Sequence, residues 1–129
     1  MAALFEATIP GTPFNVRALR REIAGIAAAC GMDARGVADV QLAVTEAATN
    51  AVMHAYATMS GDLTVTADVH EGELAIVIAD TGSGLVERPD SPGLGAGLSI
   101  IATVTHQLRI VSDTRGTEIH MTFRCSGRE

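Results

Sequence analysis

The chain has 129 residues, 47% hydrophobic and 19% charged, which is one domain with enough apolar material to pack a core. Its nine basic residues, all Arg, stand against fifteen Asp plus Glu, and a net charge of −6 excludes the basic footprint of a nucleic-acid binder or an anionic-membrane binder. With no Lys anywhere a Walker-type phosphate loop is excluded, and no apolar run approaches the roughly 20 residues of a membrane helix.

The opening MAALFEATIP lacks a basic segment followed by an apolar stretch, so a cytoplasmic protein with a single domain over residues 1–129 is expected. Within it, Ala3, Phe5, Ala7 and Ile9 alternate with Leu4, Glu6 and Thr8, the pattern of a half-buried strand over 3–9. Thr12 followed by Pro13 starts a helix that runs to about Cys30, where Gly31 supplies a left-handed stop. Asp33 caps a second, longer helix through about Ala57, ended by the Ser60-Gly61 turn. Leu63, Val65, Ala67 and Val69 then alternate with Thr64, Thr66 and Asp68, and Glu71-Gly72 makes a tight turn. Residues 73–79 (ELAIVIA) are a near-continuous apolar run, as expected of a strand covered on both faces. Residues 80–97 are too rich in Gly and Pro for regular structure, and a third helix is expected over 97–106. Strands near 108–112 and 117–124, joined around Arg115-Gly116, close the chain. The order β-α-α-β-β-loop-α-β-β predicts an α/β (α+β) two-layer sandwich, its mixed, mainly antiparallel sheet covered by helices on one face. Cys30 and Cys125 lie 95 positions apart with no CxxC spacing and are expected to be reduced thiols at element ends.

Several residues carry chemistry. Glu46, Asn50 and His54, spaced by four, share one face of the second helix. Val37, Val40, Val44, Ala48, Ala51 and Ala55 form the opposite face, small enough to lie flat on a sheet, and Leu42 and Met53 flank the polar stripe. A carboxylate, a carboxamide and an imidazole between apolar shoulders suit a pocket wall, although a solvated helix face would show the same triplet. Asp80 stands where strand 73–79 ends, placed to accept hydrogen bonds from an exocyclic amine such as that of adenine. Gly82 and Gly84 follow it in DTGSG and let a ring approach the backbone. Gly93, Gly95 and Gly97 (GLGAGLSII, with Leu94, Ala96 and Leu98) open the third helix, where free N–H groups bind phosphate oxygens without any Lys. Thr117 offers a hydroxyl at the start of the last strand.

In this order, VTEAATNAVMHAY (44–56), IADTGSGL (78–85), GLGAGLSII (93–101) and RGTEIHMTF (115–123) resemble the GHKL ATP-binding superfamily, the Bergerat fold. More narrowly the chain resembles its anti-sigma-factor serine/threonine kinase branch, over about residues 3–124. The resemblance implies ATP and Mg²⁺, with Asn50 coordinating the ion that bridges the phosphates and Glu46 acting as general base on an attacking hydroxyl. It implies Asp80 on the adenine amine, with Gly82 and Gly84 lining the base pocket and Thr117 contacting adenine. Gly93, Leu94, Gly95, Ala96, Gly97 and Leu98 would wrap the phosphates. The segment between Gly84 and Gly93 (LVERPDSP) is a short ATP lid whose cation is Arg88. The implied partners are an anti-anti-sigma (STAS-type) antagonist as substrate, a sigma factor as target, and a second copy in a homodimer. Arg17, Arg20 and Arg21 on the first helix suit an acidic partner surface or a solvated face. The alternative is a nucleotide-gated adapter that binds ATP and a partner without phosphotransfer. The catalytic domain of a sensor histidine kinase is disfavoured, since no helix pair with a phospho-accepting His precedes the motifs.

Overall fold

The helix starts read from the sequence are made by the residues expected, in a computed structural model that describes residues 3–51, 61–80, 92–113 and 116–125. Thr12 is extended and its hydroxyl accepts from the Asn15 N–H, opening α1 (Pro13–Ala29) with a proline in the first turn. Gly31, at φ 108°, ends that helix, and the Asp33 carboxylate accepts from the Gly36 N–H at 2.9 Å to open α2 (Ala34–Asn50). The expected continuation of α2 toward Ala57, with Met53, His54 and Ala55, lies outside the described residues.

Five strands form one sheet in the order β1-β2-β3-β5-β4: β1 (Ala3–Pro10), β2 (Asp62–His70), β3 (Glu73–Asp80), β4 (Gln107–Asp113) and β5 (Gly116–Arg124). All four ladders are antiparallel, so the sheet is wholly antiparallel where a mixed, mainly antiparallel one was expected. The connectivity explains why. Two helical passes between β1 and β2 return the chain reversed. β4, after the single helix α3 (Pro92–Val104), runs parallel to β3, but β5 inserts between them, so that parallel pair is never adjacent. At the β2–β3 turn Glu71 and Gly72 both have positive φ, 51° and 79°, as the two central residues of a tight type I′ hairpin require.

The helices cover one face. Leu63, Val65 and Ala67 of β2, Leu74, Ile76 and Ile78 of β3, and Ile119, Met121 and Phe123 of β5 are buried beneath Val16, Leu19, Ile23 and Ala27 of α1 and the Val/Ala face of α2. That α2 face includes Val40, Val44 and Ala48 as expected, and also Ala43 and Ala47, because α2 packs between α1 and α3 as well as over the sheet. Leu42 stays out of the core, 41% exposed, as its place on the helix predicts.

Two further expectations are corrected. β3 is buried on one face only: Leu74, Ile76, Ile78 and Asp80 alternate with half-buried Glu73, Ala75, Val77 and Ala79. The second row suits a pleated surface between neighbours, Val77 lying between Thr66 and His120, and needs no second helical layer. The third helix begins at Pro92, five residues earlier than read, and ends at Val104. Proline favours a first helical position. The glycine cost of about 1 kcal/mol each is offset by docking Leu98, Ile101 and Val104 on the core. The helix stops because the His106 N–H leaves it for the Thr122 carbonyl, at 2.7 Å.

Ile76, fully buried at the centre of β3, carries this packing. Ile76→Ala is expected to lower unfolding stability by roughly 2–5 kcal/mol in urea titration, whereas Leu42→Ala stays within about 0.5 kcal/mol. Equal losses at both positions would contradict the one-sided core.

Candidate functional site

The chain path gathers the polar motifs at one end of the sheet. Pro10 pairs with Asp62, and the Gly11 N–H reaches the Gly61 carbonyl at 2.7 Å, so β1 ends and α1 begins at that end. α1 leaves it and α2 returns to it, bringing Glu46 and Asn50 back over the same edge as Leu63, Asp80 and Thr117, which are lateral partners.

Glu46 is half-buried and Asn50 is buried, one helical turn apart on α2. α3 crosses directly against them at Gly97. A Cβ on Gly97 would stand 3.0 Å from Asn50 Nδ2, 3.1 Å from Asn50 Oδ1 and 3.1 Å from Glu46 Oε1, so a side chain there would occupy the space of these polar ends. Asn50 Nδ2 is buried with no hydrogen-bond partner, an arrangement that costs about 1–3 kcal/mol in a packed interior. A half-turn of the carboxamide presents its oxygen instead. A buried, underused carboxamide beside a carboxylate fits a hard cation such as Mg²⁺, which takes oxygen ligands and draws the rest from water and phosphate. Among the described residues no group of three or more His, Cys, Asp and Glu could hold a metal ion.

The second half of the site is on the sheet. Asp80, the last residue of β3, and Thr117, the second of β5, are register partners on the helix-covered face and are both buried. Thr117 Oγ1 is 3.0 Å from Ser112 Oγ of β4, its own lateral partner. A buried carboxylate with a hydroxyl pair on the neighbouring strands sets acceptor and donor side by side, as the amino edge of a purine requires. Ser112 escaped the sequence reading, although its phase with Leu108 and Ile110 on β4 was enough to place it on the inner face.

The remaining candidates divide plainly. Gly93, Leu94, Gly95 and Ala96 fall within the first turns of α3, where the first four N–H groups of a helix lack intrahelical carbonyls. Gly97 sits deeper in the helix and meets Glu46 and Asn50 as a close-contact glycine; Leu98 is half-buried against the core. Gly82, Gly84, Arg88 and His54 lie outside the described residues.

The two helical glycines with opposite surroundings make a test. On Gly25 of α1 a methyl group would find nothing within 4 Å, so Gly25→Ala is expected to raise stability by roughly 0.4–1 kcal/mol in thermal or urea melts. Gly97→Ala gains the same helix propensity and loses it to the contacts at Asn50 and Glu46. Equal gains at both glycines would show that α3 is not seated on those side chains.

With this geometry in place, comparison with known proteins is informative. Residues 9–123 match the histidine kinase-like ATPase domain family. The serine-protein kinase RsbW of Bacillus licheniformis is 31% identical over 94% of this chain and 85% of its own length. The anti-sigma F factor of Clostridium acetobutylicum is 32% identical over 64% of this chain and 66% of its own. Among solved structures, that of the RsbU and RsbW domains of a Mycobacterium tuberculosis protein superposes with a TM-score of 0.75 at 26% identity. The match covers 96% of this chain and spans about a third (32%) of that longer one. A blue-light-activated histidine kinase of Erythrobacter litoralis shares the fold at 22% identity, with a TM-score of 0.63. Matched over nearly its whole length by the family pattern, the chain belongs to the histidine kinase-like ATPase domain family.

Proposed function

We propose that this chain is an ATP-dependent protein serine/threonine kinase of the anti-sigma-factor type, which phosphorylates an anti-anti-sigma (STAS-type) antagonist and in alternation holds a sigma factor. The observation that carries this reading is the meeting of Glu46 and Asn50 with Gly97, which puts a carboxylate and a carboxamide against the helix whose first turns carry the Gly93–Gly97 motif. The names of the relatives support it, and so does the −6 charge, which favours a protein over a nucleic-acid partner.

In this reading Asp80 accepts the exocyclic amine of adenine, while Thr117, held by Ser112, fixes the base edge. The N–H groups in the first turn of α3 donate to phosphate oxygens, which the helix dipole also favours. Asn50 is the residue that would hold Mg²⁺, through its carboxamide oxygen. When bound, the ion neutralises charge on the phosphates and helps align them. Glu46 takes the proton of the attacking serine hydroxyl as the oxygen approaches phosphorus. Positioning and charge neutralisation supply most of the rate in such transfers, so a partly enclosed carboxylate is sufficient as a base. Arg17, Arg20 and Arg21 are exposed on α1, with Phe14 beside them 70% exposed, and this cationic surface with an aromatic anchor suits an acidic partner. A cytoplasmic homodimer acting in transcription regulation belongs to the same reading; among the described residues no helix is long and apolar enough to cross a membrane.

Calorimetric titration with ATP and Mg²⁺ tests the pocket. Asn50→Ala should abolish the Mg²⁺ dependence of binding, and Asp80→Asn should weaken ATP binding about 10–100-fold, the loss of a charged hydrogen bond. Wild-type protein that binds no ATP would end the reading.

Glu46→Gln separates kinase from adapter. With labelled ATP and a STAS-type protein as acceptor, phosphotransfer should fall by roughly 10²–10⁴-fold while ATP affinity stays within a few-fold. Undiminished partner control by that variant would favour the nucleotide-gated adapter.

A further inference from the structure

The end of the molecule opposite the nucleotide site holds a feature that phosphotransfer does not use. Cys30 follows the last turn of α1 and Cys125 follows β5, and the fold brings the two together although 95 positions separate them. The Cys30 thiol donates to the Ala27 carbonyl at 3.4 Å and has the Cys125 thiol as its neighbour. Both residues belong to one apolar cluster, Cys125 buried and Cys30 half-buried. Their backbones are held independently. The Cys30 N–H bonds the Ile26 carbonyl at 3.0 Å and the Cys125 N–H bonds the Gly72 carbonyl at 2.9 Å. At Gly31 a Cβ would lie 3.8 Å from the Cys125 carbonyl oxygen, so the two chain segments run side by side. A cleft borders the pair on each side. A cleft of about 360 Å³ is lined by Gly31, Met32, His106 and Cys125, and a second is lined by Ile26, Ala29, Cys30 and Val69.

We infer that Cys30 and Cys125 form an oxidisable thiol pair, which hydrogen peroxide converts to an intramolecular disulfide that staples the α1–α2 corner to the end of β5. Burial, and then the neighbouring Cys125 thiol, push the Cys30 thiol up from 9.0 to about 12, so Cys30 keeps its proton at neutral pH and acts second. The Cys125 sulfur attacks one peroxide oxygen, the O–O bond breaks, and Cys125 sulfenic acid and one water result. The Cys30 sulfur then attacks the Cys125 sulfur; the S–O bond breaks, and the hydroxyl leaves with the Cys30 proton as a second water. Two thiols are oxidised by two electrons and both peroxide oxygens are reduced, so atoms and electrons balance. A low-molecular-weight thiol reverses the bridge by exchange. Intracellular disulfides of this kind are transient and redox-sensing in most organisms, as such reversal allows.

The bridge closes about three quarters of the chain, from Cys30 to Cys125, into a loop, which limits the unfolded ensemble. It lies at the start of α2, which at about 1.5 Å per residue is about 18 Å from Glu46 and about 24 Å from Asn50 along the helix, so it stabilises the fold without entering the nucleotide site.

The experiment is to treat the purified, folded protein with hydrogen peroxide, quench, and record intact mass, alkylatable thiols after unfolding, and the melting curve. The expected product has lost the mass of two hydrogens and both thiols, yields a Cys30–Cys125 linked peptide, and melts several degrees higher, all reversed by dithiothreitol. Cys30→Ser, at the half-buried position, should show none of these changes. Two intact thiols after exposure to excess peroxide, sulfinic acids without a bridge, linkage only between two chains, or a bridge that leaves the melting temperature unchanged would each overturn the inference.

Discussion

The arrangement of the candidate site depends on how closely α2 lies on the sheet and between its two neighbouring helices. Ala43, Ala47, Ala48 and Ala51, with Val40 and Val44, give it a buried surface with no long side chain to hold it away. Close packing of small side chains on a row of Leu, Ile and Val from β2 and β3 fixes the height and rotation of the helix. That rotation in turn decides where Glu46 and Asn50 come to rest. One larger residue on the alanine face would lift the helix, and the polar pair would lose its seat against α3. The hydrophobic core is therefore the positioning device of the site, as well as the main source of stability.

Polar burial is the counterpart of that precision. Asn50, Asp80 and Thr117 are the buried polar residues among those described, and all three lie at one end of the sandwich. Removing such groups from water is unfavourable unless each finds a partner. Thr117 has Ser112, whereas Asn50 Nδ2 has none. A fold optimised for stability alone would place apolar residues at these positions. Their concentration at the end where β3 stops and α3 starts is what a site for a ligand with hydrogen-bonding groups of its own would need.

What the sequence revealed follows the range of the interactions involved. Thr12, Gly31 and Asp33 act on backbone groups within a few residues, so helix boundaries set by caps were legible. The alternation in β2 and the Glu71-Gly72 turn were legible for the same reason. The errors arose where distant parts decide. ELAIVIA gave no sign that one face of β3 would stay half-open, because apolar content does not reveal how many layers cover a sheet. The run from Pro92 read as loop because its glycines argue against a helix, and only docking of Ile101 and its neighbours on the core reverses that. Gly97 was recognised as important through its motif, but its contact with Asn50 joins two helices and appears in no local pattern. The Cys30–Cys125 approach is the extreme case, with 95 positions between the partners.

The two ends of α2 show how one small domain separates two kinds of chemistry. Its N-terminal end is capped by Asp33 beside an apolar corner containing Met32, Cys30 and Cys125. Its C-terminal end carries Glu46 and Asn50 under α3. A helix with a rigid small-residue interface transmits position along its length without transmitting polarity. Soft sulfur groups at one end and hard oxygen groups at the other therefore do not compete for the same ligand. The antiparallel sheet reinforces this division. Each strand exposes one terminus to each end, so β3 delivers Asp80 to the oxygen-rich end and begins at Glu73 near the sulfur-rich end, while β5 delivers Thr117 and Cys125 in the opposite sense. Separation of the two ends follows from the connectivity itself, before any particular side chain is chosen.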